Sequence, residues 1–142
     1  EMRLALQTDY ALRVLMYLTG ENRRGTVTEI SEFFEISRDH VAKVTVRLAK
    51  LGYIRAIRGA GGGLEMAQTP ETIRIGEVIA DFEGSMQLLD CVEAQTEVCR
   101  IQSRCKLKHV LAKAEQVQRE YLDNIRLSDV VQSGTSLSKL TK

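Results

Sequence analysis

The 142-residue sequence has no tryptophan, a single proline and only three cysteines, and it lacks the signatures of several large protein classes. It contains no run of about 18 apolar residues and no basic segment leading into an apolar one, so we expect no membrane span, no secretory leader and a cytoplasmic location. The phosphate-binding motifs G-x-x-x-x-G-K-S/T and G-x-G-x-x-G are missing, and only two histidines are present. No Ser/His/Asp arrangement is recognisable either, so we expect that the chain is not an enzyme.

Composition and charge indicate a globular chain with one strongly basic segment. Hydrophobic residues make up 44% of the sequence, charged residues make up 27%, and the formal net charge is +1, as expected of a single soluble domain with an appendage. Residues 36–58 nevertheless hold six Lys and Arg against one Asp, a net charge of +5. A solvated helix face would produce the same pattern, so charge alone does not establish contact with a polyanion.

Three helices are predicted near the N-terminus. Apolar residues recur at helical spacing from Thr8, and Gly20 is predicted to end this first helix; Thr28 is a suitable N-cap for a short second helix. Ser37 would cap a third helix over 38–51, which Gly52 would end. Two helices joined by a short turn, the second with a basic face, are typical of a helix-turn-helix. The stripe of the third helix that we expect to be buried contains Val41, Val44, Leu48 and Leu51, and its basic face contains His40, Lys43, Arg47 and Lys50.

A β-hairpin is predicted directly after the helix-turn-helix. Residues 53–57 are β-prone, residues 64–67 form a weaker strand, and a glycine-rich stretch that begins at Arg58 lies between them. Glycine adopts positive φ angles without steric cost, so this stretch suits the tip of a hairpin. After a helix-turn-helix such a hairpin is a wing, in which Arg58 would enter a minor groove while Gly61 and Gly62 let the backbone approach phosphates. The alternative, a nucleotide-phosphate loop, is disfavoured because no helix follows the glycines.

The C-terminal half is predicted to contain a short helix that ends near Gly84 and a long helix over 105–124. At 1.5 Å per residue the long helix would span roughly 30 Å, and its apolar residues nearly follow a heptad. A small winged domain offers little surface to cover it, so we expect the helix to pair with its copy in a homodimer; packing on its own domain is the alternative. The resulting prediction is a mainly α fold with four parts: a winged helix-turn-helix with a two-stranded wing over 2–84, a cysteine loop over 85–105, a dimerisation helix with a short C-terminal element over 106–132, and a flexible tail over 133–142.

The three cysteines, Cys91, Cys99 and Cys105, fall within 15 residues in a segment without clear periodicity. Thiolates gathered in one loop suit a soft metal or an iron–sulfur cluster, and redox-active thiols are the alternative. The C-x7-C-x5-C spacing matches neither a zinc site, which would show C-x2-C or H-x3–5-H, nor the C-x2-C-x2-C run of ferredoxins. His109 is the nearest candidate for a fourth ligand, but the spacing does not distinguish it from His40 or from carboxylates elsewhere.

Several of these motifs together resemble a known family. They are the opening Met2-Arg3-Leu4, Thr8-Asp9-Tyr10-Ala11-Leu12-Arg13, Val41-Ala42-Lys43, the glycine-rich wing, Ile75-Gly76-Glu77-Val78, the three cysteines and Cys105-Lys106-Leu107-Lys108. In this combination the chain resembles, from Met2 to about Val131, the bacterial iron–sulfur winged-helix transcription regulators of the NsrR, IscR and RirA type. Within the family it is most similar to the nitric-oxide-sensing repressors, because Lys108 stands where other members carry a histidine ligand and Asp9 matches an aspartate at the start of the first helix.

The resemblance implies a homodimeric repressor that binds a double-stranded DNA operator and carries an iron–sulfur cluster, with 4Fe–4S favoured over 2Fe–2S. Its ligands would be Cys91, Cys99 and Cys105, with Asp9 from the other subunit, and nitric oxide would be the signal. An iron- or cluster-status regulator of the same family, or a cluster-free thiol or persulfide sensor, is the alternative. The seven-residue gap between the first two cysteines is longer than in familiar members. The predicted DNA-contacting residues are Ser37, Arg38, Asp39, His40, Lys43, Arg47, Lys50, Arg58, Gly61 and Gly62.

Overall fold

The computed structural model of the chain describes residues 3–84, 88, 100–101 and 104–141. Among these residues, none of the helices combines the length and the apolar character that a membrane span requires. The fold is mainly helical with one small antiparallel sheet, which confirms the predicted class. The helices are α1 (Leu6–Glu21), α2 (Val27–Phe34), α3 (Arg38–Lys50), α4 (Ile75–Glu83), α5 (Lys106–Asp123) and α6 (Leu127–Val130); the strands are β1 (Ile54–Ile57) and β2 (Gly63–Met66); two 3-10 turns cover Pro70–Thr72 and Leu137–Leu140.

Helix α1 lies at the centre of the hydrophobic core. Helices α3 and α4 and strand β2 pack against it, and α2 packs against α3 to complete the helix-turn-helix. Helix α2 starts earlier than predicted, because the hydroxyl of Thr26, not that of Thr28, accepts a hydrogen bond from the backbone N–H of Glu29 at 3.0 Å. Gly52 follows α3 with a φ of 86°, as predicted, whereas Leu51 is 40% exposed and does not belong to the buried stripe.

Strands β1 and β2 form the predicted wing, and the linker between α1 and α2 pairs with the outer edge of β2. Ile54 pairs with Met66 and Ile57 with Gly63, so the hairpin turn spans residues 58–62. Gly25 forms an isolated antiparallel bridge with Leu64, with N–O distances of 2.9 and 2.7 Å in the two directions. The wing is therefore attached, close to its turn, to the linker that follows α1, in addition to its packing on α3.

The second half of the chain is joined to the first around the start of α4. The backbone N–H of Ile75 donates to Ile125 at 2.8 Å, and that of Leu127 donates to Ile73 at the same distance. A Cβ atom on Gly76 would stand 2.1 Å from a carboxylate oxygen of Asp123, so only glycine allows α4 and the end of α5 to come this close.

The C-terminal segment corrects two sequence-based predictions. Residues beyond Ser133 were expected to form a flexible tail, but they run back over the end of α1 and bury Leu137 to 6% exposure. The segment crosses α1 at Gly20, where an added Cβ would lie 3.0 Å from the carbonyl oxygen of Thr135. Gly20 is therefore a packing residue inside α1, not the residue that ends it; the helix continues to Glu21 and is capped by Asn22 in the left-handed conformation. Leu127, Val131 and Leu137 all belong to the same core as α1, so residues 106–140 do not form a separate unit.

Candidate nucleic-acid interface and cysteine site

The N-terminal end of α3 presents polar side chains to solvent. Ser37 caps the helix, as predicted, by accepting a hydrogen bond from the backbone N–H of His40 at 3.3 Å. On the opposite face, Val41, Val44 and Leu48 are at most 2% exposed and fix the helix against the core. The residues predicted to contact bases at this end are all exposed: Ser37, Arg38, Asp39, His40 and Lys43.

The basic residues of α3 differ in the number of contacts that their side chains make within the chain. Arg38, Lys43 and Lys50 make no ion pair or side-chain hydrogen bond with any described residue. Arg47, in contrast, donates from Nη2 to the carbonyl oxygen of Asp81 at 2.7 Å, and its guanidinium carbon lies 4.5 Å from the centre of the Phe82 ring. A third contact, from Nη1 to the side-chain oxygen of Gln7, measures 3.3 Å. Two of its five N–H groups are thus used to attach α3 to α1 and α4.

The wing places Arg58 at the start of an exposed glycine turn. Gly59 and Gly61 have φ angles of 92° and 73°, which explains the glycines there, and Gly62 donates its N–H to the carbonyl of Gly59 at 3.0 Å. The Arg58 side chain is exposed and has no hydrogen-bond or ion-pair partner among the described residues. On the strands behind it, Arg55 and Glu65 face each other and form an ion pair of 2.9 Å. Within the wing, therefore, Arg55 is engaged by Glu65, whereas Arg58 has no partner among the described residues and is available to an external one.

Asp9 lies in the first turn of α1, where its carboxylate is held by Arg13 one turn further on. Arg13 Nε lies 2.9 Å from Oδ1 of Asp9 and Nη2 lies 3.1 Å from Oδ2, and the Asp9 side chain is 43% exposed. The guanidinium carbon of Arg13 also lies 5.5 Å from the Phe34 ring centre, so α2 restrains the pair. The carboxylate is thus oriented and accessible to a second molecule.

The start of α1 is also tied to the end of α4. Ala5 occupies the N-cap position and has no side chain that could cap the helix. Glu83 takes over this role from α4: its Oε1 accepts hydrogen bonds from the backbone N–H of Ala5 and, at 2.8 Å, from the hydroxyl of the buried Thr8. Since Glu83 ends α4 two residues before the predicted cysteine loop, this contact links the helix that leads into the loop to the helix that carries Asp9.

A buried tyrosine gives α4 a further link to the base of the wing. Tyr53, which is 5% exposed, donates its hydroxyl to Oδ2 of Asp81 at 2.6 Å. Burial, followed by this hydrogen bond and the charge of the carboxylate, raises the pKa of Tyr53 well above its ordinary value. The phenol therefore remains protonated and keeps donating to Asp81 over the physiological pH range.

Of the three cysteines, the structure describes Cys105 alone; Cys91 and Cys99 lie outside the described residues, as does most of the loop over 85–105. Cys105 is half-buried at the N-cap position of α5, and His109, one turn along, is exposed. The described residues contain no group of three or more His, Cys, Asp or Glu that could hold a metal ion. By chemistry the donor set suits an iron–sulfur cluster, because three thiols from one segment supply the soft ligands that such clusters bind.

Helix α5 leaves most of its apolar side chains in solvent. Four of its large apolar side chains have exposed fractions between 52% and 66%: Leu107, Val110, Val117 and Tyr121. The C-terminal end of the helix approaches the start of α4, with Leu122 packed against the core, and in its middle the buried Glu115 accepts a hydrogen bond from the backbone N–H of Leu88. A continuous apolar stripe of this length on one helix is typical of a surface that another chain covers.

Comparison with known proteins identifies the family. Residues 4–133 match the Rrf2 family model, described as an iron-dependent transcriptional regulator. The chain belongs to the Rrf2 family. Two relatives, both named HTH-type transcriptional regulator NsrR, are similar over nearly their whole length: the Bacillus subtilis protein is 39% identical over 99% of this chain and 98% of its own, and the Bacillus licheniformis protein is 38% identical over 98% of this chain and 99% of its own. These Rrf2 relatives are transcriptional regulators and not enzymes, as predicted.

A solved structure supports the fold of this Rrf2 chain. The global cysteine regulator CymR of Bacillus subtilis aligns with a TM-score of 0.74 over 100% of both chains at 19% identity. At that level of identity the likeness confirms the architecture of a winged helix with a long C-terminal helix. The Rrf2 chain is thus a transcriptional regulator of the DNA-binding winged-helix type.

Sequence reasoning missed three residues that the structure brings into this region. Arg13 follows Asp9 by four residues, so the helical i, i+4 rule predicts their ion pair once α1 is known. Glu83 and Arg24 bond to residues 75 and 37 positions away, respectively, and no local pattern indicates such contacts.

Proposed function

We propose that this chain is a homodimeric repressor whose affinity for a DNA operator is controlled by an iron–sulfur cluster that responds to nitric oxide. The observation that carries the proposal is the near full-length similarity to two regulators named NsrR, together with a family description that specifies iron dependence. In this proposal the cysteines would hold the cluster, the exposed faces of α3 and the wing would contact DNA, and the exposed face of α5 would form the dimer.

The DNA-binding surface would consist of the exposed end of α3 and the tip of the wing. Ser37, Arg38, Asp39, His40 and Lys43 would face the major groove, where the start of a recognition helix meets base edges. Arg58 would enter the adjacent minor groove. The residues that would contact phosphates are Lys50 by side chain, Gly61 and Gly62 by backbone, and Arg47 through the N–H groups that Gln7 and Asp81 leave unused.

The dimer would form along α5. Each chain exposes Leu107, Val110, Val117 and Tyr121 on this helix, and a two-fold pairing would bury both copies of the stripe at once. Such pairing would relate two recognition helices by a two-fold axis, which suits an operator with two half-sites.

The cluster would be held by Cys91, Cys99 and Cys105 of one subunit and Asp9 of the other, in the 4Fe–4S rather than the 2Fe–2S form. When bound, it would supply iron that is open to reaction with nitric oxide. Asp9 contributes a hard oxygen ligand beside three soft thiolates, so its bond would be the weakest of the four. Arg13 would orient the carboxylate, as hydrogen-bonding partners of metal ligands commonly do.

Loss of the cluster would change the position of the DNA-binding surface through contacts within the chain. Glu83 joins the end of α4, which leads into the cysteine loop, to the start of α1, and Arg47 joins α4 and α1 to the recognition helix. Cluster state and operator affinity would then share one equilibrium and must be coupled reciprocally.

Anaerobic spectroscopy combined with DNA binding tests the proposal. The protein is purified without oxygen, its visible absorption is recorded, and nitric oxide is titrated while binding to a duplex selected by the protein from a random-sequence pool is followed. We expect a coloured protein that loses DNA affinity as nitric oxide is added. A coloured protein that responds to iron withdrawal and not to nitric oxide would indicate an iron- or cluster-status regulator. A colourless protein that cannot take up iron and sulfide would leave a cluster-free thiol sensor.

A further inference from the structure

Arg24, which lies outside both the helix-turn-helix and the wing, contacts the wing at two points. Its Nη1 donates to the carbonyl oxygen of Gly61 at 3.0 Å, and its Nε donates to Oε2 of Glu65 at 3.1 Å. Gly61 belongs to the turn at the tip of the hairpin and Glu65 to the middle of β2. One guanidinium thus connects the end of α1 to both the tip and the body of the wing.

The neighbouring backbone makes this connection rigid. Gly25 is bonded in both directions to Leu64, and a Cβ atom on Gly63 would lie 2.9 Å from the carbonyl oxygen of Gly25. The linker therefore lies directly against the strand that leaves the turn. Because the backbone of Arg24 is already fixed, ordering its side chain against the wing costs side-chain entropy but little further backbone entropy.

Glu65 holds the guanidinium in place. Its other carboxylate oxygen accepts a hydrogen bond from Arg55 at 2.9 Å, and the hydrogen bonds from Arg55 and then Arg24 lower the pKa of Glu65. Glu65 is therefore ionised and accepts from arginines on two sides. A negative charge at Glu65 repels DNA phosphates and by itself would weaken binding. Its contact with Arg24 gives a structural reason why an acidic residue stands at this position of the wing.

The wing tip needs such an external support. Four of the five residues from 59 to 63 are glycines, and glycine has the largest backbone freedom to lose on ordering. An unsupported turn would sample many directions and would lose that freedom on contact with DNA, which weakens binding. A hydrogen bond to the carbonyl of Gly61 removes part of this freedom beforehand.

We propose that Arg24 is a positioning residue for DNA recognition: anchored on Glu65, it holds the carbonyl of Gly61 and so directs the wing tip and Arg58 toward the minor groove. The inference rests on the proposed role of the wing as a DNA contact. It requires no direct contact between Arg24 and the nucleic acid.

The variant Arg24→Gln tests the inference against a matched neighbour, Arg23→Gln. Arg23 loses the same charge one residue away, but its side chain bonds to Glu29 at 3.0 Å and to the carbonyl of Arg24, and not to the wing. Binding of the full chain to a duplex selected by the wild-type protein is measured at several salt concentrations. We expect Arg24→Gln to weaken binding by roughly tenfold and Arg23→Gln by less than about twofold. The slope of affinity against salt should be the same for both variants, because neither residue neutralises a phosphate.

Glu65→Gln separates positioning from direct contact. If Arg24 binds phosphate itself, removal of the carboxylate frees the guanidinium and tightens binding. If Arg24 positions the wing, the same variant loosens the tip and weakens binding, although a repulsive charge has been removed. Minor-groove protection at the wing contact, measured by hydroxyl-radical footprinting, should be lost in both Arg24→Gln and Glu65→Gln and retained in Arg23→Gln.

Arg58→Ala in the same assay separates failure of this inference from failure of the proposed wing contact. A loss of affinity in Arg58→Ala without a loss in Arg24→Gln would overturn the positioning role alone. Tighter binding by Glu65→Gln, or equal effects of Arg23→Gln and Arg24→Gln, would overturn it as well. Unchanged affinity in Arg58→Ala would overturn the wing contact on which the inference rests.

Discussion

Arg13 holds both carboxylate oxygens of Asp9, with Nε 2.9 Å from Oδ1 and Nη2 3.1 Å from Oδ2. A carboxylate has about four lone-pair positions, so this two-point contact leaves room for a further ligand on either oxygen. The proposed role of Asp9 as a ligand from the neighbouring subunit is therefore compatible with its ion pair. Arg13 would act as the partner that orients the ligand.

We expect Arg13→Gln to make a bound cluster more labile. Loss of a hydrogen-bonding partner behind a metal ligand commonly costs about 10- to 100-fold in metal affinity. The rate at which visible absorption is lost to a chelator under anaerobic conditions measures this, with Asp9→Asn as the positive control and Arg23→Gln as the neutral one. Retention equal to that of the wild type in both Arg13→Gln and Asp9→Asn would exclude Asp9 as a ligand.

Arg58→Ala is expected to weaken DNA binding by roughly tenfold, within the range of about 1–3 kcal/mol for a groove-contacting arginine. Arg58 is exposed and has no partner among the described residues, so its removal leaves the fold intact. Lys139→Ala removes the same charge from the far end of the chain and serves as a control at matched salt. Equal affinities of the two variants would contradict insertion of Arg58 into a groove.

Val110→Lys should convert the protein to a monomer or weaken its dimer by at least about tenfold. The side chain is 62% exposed in the single chain, so a lysine there is tolerated until two copies of the stripe meet and bury both charges. Analytical ultracentrifugation over a concentration series measures the change. Gln116→Lys, on another face of α5, should leave the association unchanged; if Val110→Lys behaves in the same way, the dimer does not form along this stripe.

Glu83→Ala should destabilise the fold by about 1–2 kcal/mol, the cost of losing a helix cap. The variant leaves the N–H of Ala5 and the buried hydroxyl of Thr8 without their acceptor. Urea unfolding measures the difference, with Glu32→Ala, an exposed site on α2, as the control. Glu83→Gln keeps an acceptor oxygen and should therefore lose less unfolding free energy than Glu83→Ala. If Glu83 acted through its charge alone, the two variants would be equally destabilised.

Tyr53→Phe should lower stability at neutral pH, and the difference from the wild type should shrink above about pH 10, the ordinary pKa of tyrosine. The pKa of Tyr53 is raised in the folded state, so the unfolded chain releases this proton first and the wild type loses stability as pH rises. The slope is at most about 1.4 kcal/mol per pH unit for one group. Unfolding free energies of the two proteins from pH 8 to pH 11 test this; a constant difference across that range would contradict a raised pKa.

Local patterns in the sequence predicted most helix ends and the wing because the signals there are themselves local. Ser37 caps α3, Gly52 follows it, and the glycine turn forms the hairpin tip. The start of α2 was placed too late although Thr26 and Glu29 carry the spacing of a capping box.

The errors elsewhere come from tertiary packing that no local window contains. Gly20 was interpreted as a stop signal, but its lack of a side chain is required by the passing carbonyl of Thr135. Arg47 is predicted as a DNA-contacting residue, and no local pattern indicates that Asp81, Phe82 and Gln7 also hold its guanidinium within the chain. In both cases a residue that is typical of one local role is used for contact with a distant segment.

The burial of Leu137 against α1 has a consequence for protein engineering. Truncation of the chain after the wing, to obtain a minimal DNA-binding domain, would expose the apolar core residues against which Leu127, Val131 and Leu137 pack. The DNA-binding half of this regulator therefore cannot be separated from the C-terminal segment without loss of core packing.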